Sequence, residues 1–416
     1  MDQIPGFYRQ IGAGLMVAAT GIGAGDMIAA AVAGSQFGSL VLWAVLLGAL
    51  LKWALNEGLA KWDFATDTTI IQGWIQKLPK WIAIYFGAYL VFWAFLVAGT
   101  LISFCGLAAH SLVPLPLDDR WAITLYGALH SLVALGLIYR GSYQLIEQIM
   151  KAFIALLFLV VSWSALLLSP GWETVLYHSF VPQLPNGSEA ITLIMALVGG
   201  VGGTLTILCY AYWLREKVGD APTSLPTIRL DLGIAYGLTA IFGMSIIIIA
   251  AGIHPAKVKG YGMILGMAER LGESLGDWGA WAFLIGFWAA VFSSMLGVWH
   301  GVPYLFADFA KQYNTKGEAS MATQDYPTSK AYRYFLWYIA VPPILLVVFG
   351  RPVWIGIAYS VAGAFFMPFL AVLLLYMNNQ QKWMGGFRNG WKSNLLLLMG
   401  LGLFLVLFLS KLSSFF

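Results

Sequence analysis

Apolar residues fill windows of about 20 positions repeatedly along the chain, separated mostly by short polar connectors. A helix rises about 1.5 Å per residue, so a window of that size crosses a bilayer core. The pattern predicts eleven spans, over 11–33, 39–60, 81–110, 120–139, 148–169, 190–213, 231–253, 278–299, 332–349, 352–377 and 393–413. The runs are continuously apolar rather than alternating, which excludes a β-barrel. The longer connectors, 61–80, 170–189, 254–277 and 300–331, leave no room for a separate soluble domain. Within 254–277, Met267, Leu271 and Leu275 recur at helical spacing opposite Glu269, Arg270 and Glu273. This stretch is expected to be a short amphipathic helix on the outer surface, a gate lid or simply a solvated loop helix.

Composition agrees with that reading. Of 416 residues, 60% are apolar and 10% charged, against roughly 45–50% and 25% in soluble domains. The chain is therefore an all-α polytopic membrane protein whose partner is the lipid bilayer. A net charge of +4 without a concentrated basic run argues against nucleic acid, and no obligate protein partner is evident. Cys105 and Cys209 lie inside apolar segments, so no disulfide framework is expected. The first segment lacks a processing site and reads as a permanent span. Lys61, Lys77, Lys80, Arg140, Arg215, Lys217 and Arg388 crowd the loops on one side. The positive-inside rule then gives a multi-pass inner-membrane protein, with its N-terminus cytoplasmic and its C-terminus outside.

Two spans are interrupted by glycine. The first reads Thr20-Gly21-Ile22-Gly23-Ala24-Gly25-Asp26, and the sixth reads Gly199-Gly200-Val201-Gly202-Gly203-Thr204-Leu205-Thr206. Glycine costs about 1 kcal/mol in a helix relative to alanine, so both helices are expected to unwind there. Freed backbone groups at membrane depth must face protein, water or a ligand. Taken as two five-helix units, about 11–169 and 190–377, each unit opens with its broken helix, and 393–413 is an extra helix. Interrupted helices at matching places in two halves point to a transporter's midplane site.

Candidate ligands cluster around these breaks. Asp26 is the one metal-ligand candidate, since a carboxylate at membrane depth is costly. It reads as a cation ligand or proton carrier, or as the N-cap of the second half-helix. Gly21, Gly23, Gly202 and Gly203 offer backbone groups, and Thr204, Thr206, Cys209 and Tyr210 offer side chains. Ser293 and Ser294 in the eighth span are candidate ligands for a coupling Na⁺, or hydroxyls bonded back to the preceding turn. The five histidines lack metal-ligand spacing, with His130 the best placed as a proton carrier. Glu57 and Lys61 fit an i, i+4 ion pair at the inner end of span 2. No nucleotide loop, nucleophile elbow or zinc motif occurs, so the chain is not read as an enzyme, and no resident cofactor is expected.

On these features the sequence resembles the Nramp family of divalent-metal transporters. Gly12-Ala13-Gly14-Leu15 and Ala33-Gly34-Ser35-Gln36-Phe37-Gly38 match its first-helix framework. The resemblance implies a leucine-transporter-type fold, two inverted five-helix repeats and a site between helices 1 and 6. The family's Asp-Pro-Gly-Asn aligns with Gly23-Ala24-Gly25-Asp26, so its metal-binding aspartate position is Gly23 here. Its Met-Pro-His triplet is missing, with Thr206-Ile207-Leu208 the nearest placement, and span 3 carries no charged relay. The resemblance therefore implies inward movement of a divalent cation such as Mn²⁺, Mg²⁺ or Fe²⁺ by alternating access through a rebuilt site, with Na⁺ or proton coupling open. An alternative is an amino acid or small organic solute on the same fold. A second alternative is a non-transporting sensor or scaffold.

Overall fold

The computed structural model describes residues 12–186, 189–200, 202–218, 224–253, 262–318, 326–349 and 352–413. Among them every regular element is a helix. Among the described residues eight helical stretches are long and apolar enough to cross a membrane, or nine if the bent pair Gln381–Phe387 and Trp391–Val406 forms one span. The tally differs from eleven chiefly where a span is interrupted. The first begins as α1 (Ala13–Gly21) and restarts as α2 (Ala24–Phe37), which runs through a 3₁₀ turn into α3 (Leu42–Thr66). The stretch Met27–Thr66 thus reads as one long apolar run. The tenth expected span is α16 (Pro352–Met377), of which Phe365–Met377 is the apolar part among the described residues.

The remaining order is α4 (Ile70–Lys77), α5 (Lys80–Leu112), α6 (Asp119–Arg140), α7 (Tyr143–Leu167) and α8 (Trp172–Phe180). Next come α9 (Ala190–Gly200), a 3₁₀ turn (Leu205–Leu208), α10 (Cys209–Val218), α11 (Leu225–Ala250), α12 (Gly262–Leu275) and α13 (Asp277–Asn314). The chain closes with α14 (Lys330–Ala340), α15 (Ile344–Phe349), α16, α17 (Gln381–Met384) and α18 (Trp391–Ser413). The short helices α4 and α8 lie inside connectors where no helix is expected from span-length windows.

Several helix starts carry a side-chain cap. Asp118, Ser142, Ser224 and Ser329 each accept a backbone N–H from the first turn they precede. Others have none, among them α5, α8 and α13, and the restarts after the two breaks belong with these. Gly23 precedes α2 and Thr204 precedes the 3₁₀ turn, neither with a side-chain cap. The capping position of α2 is therefore Gly23, not Asp26, which falls one turn inside the helix. Asp26's side chain lies outside the described residues.

Helix α13 is the central pillar. It runs 38 residues, about 57 Å at 1.5 Å per residue, and is buried along most of its middle against α1, α5, α7, α12 and α14. Helix α11 closes the opposite side against α1, α2, α3 and α7. The amphipathic α12 buries Ile264, Met267, Ala268 and Leu271 and packs along α13. The Glu57–Lys61 pair forms at 3.1 Å, and Arg229 of α11 joins the same carboxylate at 2.9 Å.

Candidate substrate site at the two helix breaks

The two breaks touch. A Cβ on Gly21 would lie 2.6 Å from the carbonyl carbon of Gly202 and 2.9 Å from the Gly203 nitrogen. Only glycine permits that approach. Gly202 and Gly203 both hold φ +84°, the left-handed region that L side chains avoid. The polypeptide thus turns out of α9 through two left-handed residues and presses its backbone on the end of α1.

A small cavity of about 10 Å³ opens at this junction, lined in part by Thr20, Gly21, Gly23, Thr100, Thr206, Ser294 and Tyr359. That is close to the space one water-sized particle needs. Helix α13 supplies the back wall. Ser294 Oγ donates to the Thr20 carbonyl at 2.5 Å, and Ser293 Oγ donates to Ala290 O at 2.9 Å and reaches Ala19 O at 3.4 Å. Beside the cavity, the buried Thr204 hydroxyl has no hydrogen-bond partner among the described residues. Unpaired buried hydroxyls are uncommon because losing water without replacement is costly.

The expected residues separate into two groups. Gly21, Gly23, Thr206 and Ser294 line the cavity, while Gly202, Gly203, Thr204 and Ser293 adjoin it. Cys209 and Tyr210 are elsewhere. The Cys209 thiol packs toward Gly301 of α13, and the Tyr210 hydroxyl donates to Asp231 Oδ2 at 3.1 Å. Asp231 also accepts the N–H groups of Gly12 at 2.9 Å and Gly14 at 2.7 Å, clamping the entry to α1. His130 lies away from the breaks, accepting the Trp288 indole N–H at Nε2. Among the described residues no three His, Cys, Asp or Glu side chains converge as a metal cage. The donors at hand are hydroxyl and carbonyl oxygens, which suit hard cations.

Lys52 was not among the expected site residues. Its side chain is 1% exposed, and its ammonium donates to Gly199 O at 2.9 Å and to Gly203 O. These carbonyls are released by the break at the negative end of α9, where a cation is favoured. The protein therefore holds its own positive charge against the sixth-span break. The available signal was a lone lysine in the middle of an apolar span.

The two broken spans thus meet at a small cavity inside the helical bundle. Comparison with known proteins gives the class. The family model described as natural resistance-associated macrophage protein-like, Nramp, matches residues 14–414. The chain belongs to the Nramp family, whose members are membrane transporters and not enzymes. The divalent metal cation transporter MntH of Caldanaerobacter subterraneus subsp. tengcongensis is 22% identical over 305 residues, covering 69% of this chain and 68% of that protein. The MntH of Acidiphilium cryptum is 26% identical over 286 residues, covering 65% of this chain and 62% of that protein. A crystal structure of a mutant Eremococcus coleocola manganese transporter superposes with a TM-score of 0.77 at 15% identity, covering 100% of this chain and 89% of that one. The structure of MhsT in complex with L-phenylalanine superposes at 0.62 and 16% identity, covering 96% and 98%.

Proposed function

We propose that this protein carries a divalent metal cation across the membrane by alternating access around the junction of its two broken spans. The observation that carries the reading is the contact of Gly21 with Gly202 beside a small cavity that combines hydroxyl-bearing residues with Val97, Leu101 and Val298. Family membership and the metal transport named for the MntH relatives support the substrate class. In this reading the chain has eleven spans, two inverted repeats over about 11–169 and 190–377, and an additional helix at 393–413. The N-terminus is cytoplasmic and the C-terminus outside. Asp26, the Gly21–Gly23 backbone, Thr204 and Thr206 contact the ion during the cycle. Ser293 and Ser294, with the Ala19 and Thr20 carbonyls, form the coupling-ion site. An oxygen-rich set without a thioether favours Mn²⁺ or Mg²⁺ over softer ions.

The test is ion entry into liposomes loaded with a divalent-ion dye, comparing wild type with Asp26→Asn. Saturable Mn²⁺ or Mg²⁺ entry that the variant loses is the expected result. Absence of entry from folded protein overturns the metal assignment. A second reading, an organic carboxylate as cargo, is favoured by the uncapped starts at Gly23 and Thr204, whose N–H groups suit an anion. Sodium-dependent flux of a labelled amino acid, with no divalent-ion entry, would establish it instead.

A further inference from the structure

A second, larger cavity of about 360 Å³ opens at the membrane face that the Lys and Arg pattern assigns to the cytoplasm. It lies between the end of α3, the start of α11 and the turn leading into α18. Its lining includes Lys61, Arg229, Arg388 and Lys392, and no acidic residue. Glu57 lies behind it and answers Lys61 and Arg229. Arg388 and Lys392 make no ion pair among the described residues, and both are exposed. One carboxylate thus stands against four cations.

The chain around this cavity also lies as an interfacial segment would. Gln381–Phe387 meets α18 at 119°, so the polypeptide turns sharply just before entering the last span. Phe387 and Trp391 are 43% and 72% exposed there, and the Lys392 ammonium sits 5.7 Å from the Trp391 ring centre. Exposed aromatics beside cations are typical of headgroup depth. Trp391, Lys392 and Ser393, the first residues of α18, line the same mouth, so the positive end of the helix lies beside the four side chains.

We propose that this cavity is a binding site for an anionic phosphate group, with Arg388 and Lys392 as its free charges and Lys61 and Arg229 as its floor. The phosphate belongs to an anionic lipid headgroup or to free inorganic phosphate, and the site is distinct from the transport junction. Its test does not depend on the cargo. Purified full-length protein is placed in nanodiscs of phosphatidylcholine containing phosphatidylglycerol or cardiolipin, and lipid retained on release is measured by native mass spectrometry. Parallel samples contain inorganic phosphate. The variants are Arg388→Gln/Lys392→Gln and, as a charge-matched control, Lys77→Gln/Lys80→Gln, whose residues are also exposed.

The expected result is selective retention of the anionic lipid that is roughly thirtyfold weaker in the first variant, the weight of two juxtamembrane cations, and unchanged in the control. Retention in wild type should also fall as salt rises. Displacement of the lipid by millimolar inorganic phosphate would assign the site to free phosphate. Equal retention of phosphatidylcholine and phosphatidylglycerol with no phosphate adduct in the parallel samples, or equal binding by the first variant and wild type, overturns the proposal.

Discussion

Gly21→Ala tests the junction most directly. The added methyl carbon would sit 2.6 Å from Gly202 C and 2.9 Å from Gly202 O. An ordinary carbon contact is about 3.5–4 Å, so one break must retreat by about 1 Å. Neither is free to do so cheaply. The obstructing atoms are backbone, Gly202 and Gly203 are already fixed at φ +84°, and Lys52 holds the Gly203 carbonyl. Overpacking of this kind costs about 1–3 kcal/mol. It should also move the walls of a cavity only about 10 Å³ in volume. Gly23→Ala is the internal comparison. Its methyl would meet the Ser294 hydroxyl first, at 2.7 Å, with the next atom 3.5 Å away. A hydroxyl can rotate aside, so the milder variant loses the Ser294 hydrogen bond to Thr20 without displacing backbone. The assay is dye-reported ion entry into liposomes, paired with a thermal melt of the same preparation in detergent. The expected order is wild type above Gly23→Ala above Gly21→Ala in both readouts, with entry by Gly21→Ala falling to the empty-liposome background. Wild-type entry and melting by Gly21→Ala would refute the claim that the two breaks are in contact.

Lys52→Met removes the donor to the Gly199 and Gly203 carbonyls, and unmet buried carbonyls cost about 1–3 kcal/mol each. The melting midpoint should fall, and an unchanged or higher midpoint would show that the break does not need the ammonium. Asp231→Ala removes the acceptor for Gly12 N–H, Gly14 N–H and the Tyr210 hydroxyl, which charge-assisted bonds make worth about 1.5–3 kcal/mol each before relaxation. Limited proteolysis should then cut more readily just before Ala13, while cleavage at the wild-type rate would count against the clamp. Asp308, fully buried, accepts hydroxyls from Tyr212 at 2.6 Å, Thr69 at 2.7 Å and Tyr326 at 2.8 Å. Asp308→Ala removes the carboxylate to which all three donate, and a melting midpoint lowered by several degrees is expected.

Periodicity, glycine and charge were enough to read the all-helical membrane class and both interruptions from the chain alone, though not the division into eleven spans. Runs too apolar for water must cross a bilayer, and glycines clustered at Gly21–Gly25 and Gly199–Gly203 weaken a helix wherever it packs. The amphipathic α12 and the Glu57–Lys61 pair were legible for the same reason, because i, i+4 geometry is local. What pairs with what was not. A helix apolar on every side has no stripe to say which face is buried, so nothing local separated Thr206, at the cavity, from Cys209, three residues on and packed against Gly301. Lys52 answers carbonyls 147 and 151 positions away. Asp231 grips an N–H 219 positions away. Those partners are chosen by desolvation, which forces each buried charge or freed backbone group toward whatever complement the packed bundle brings within reach.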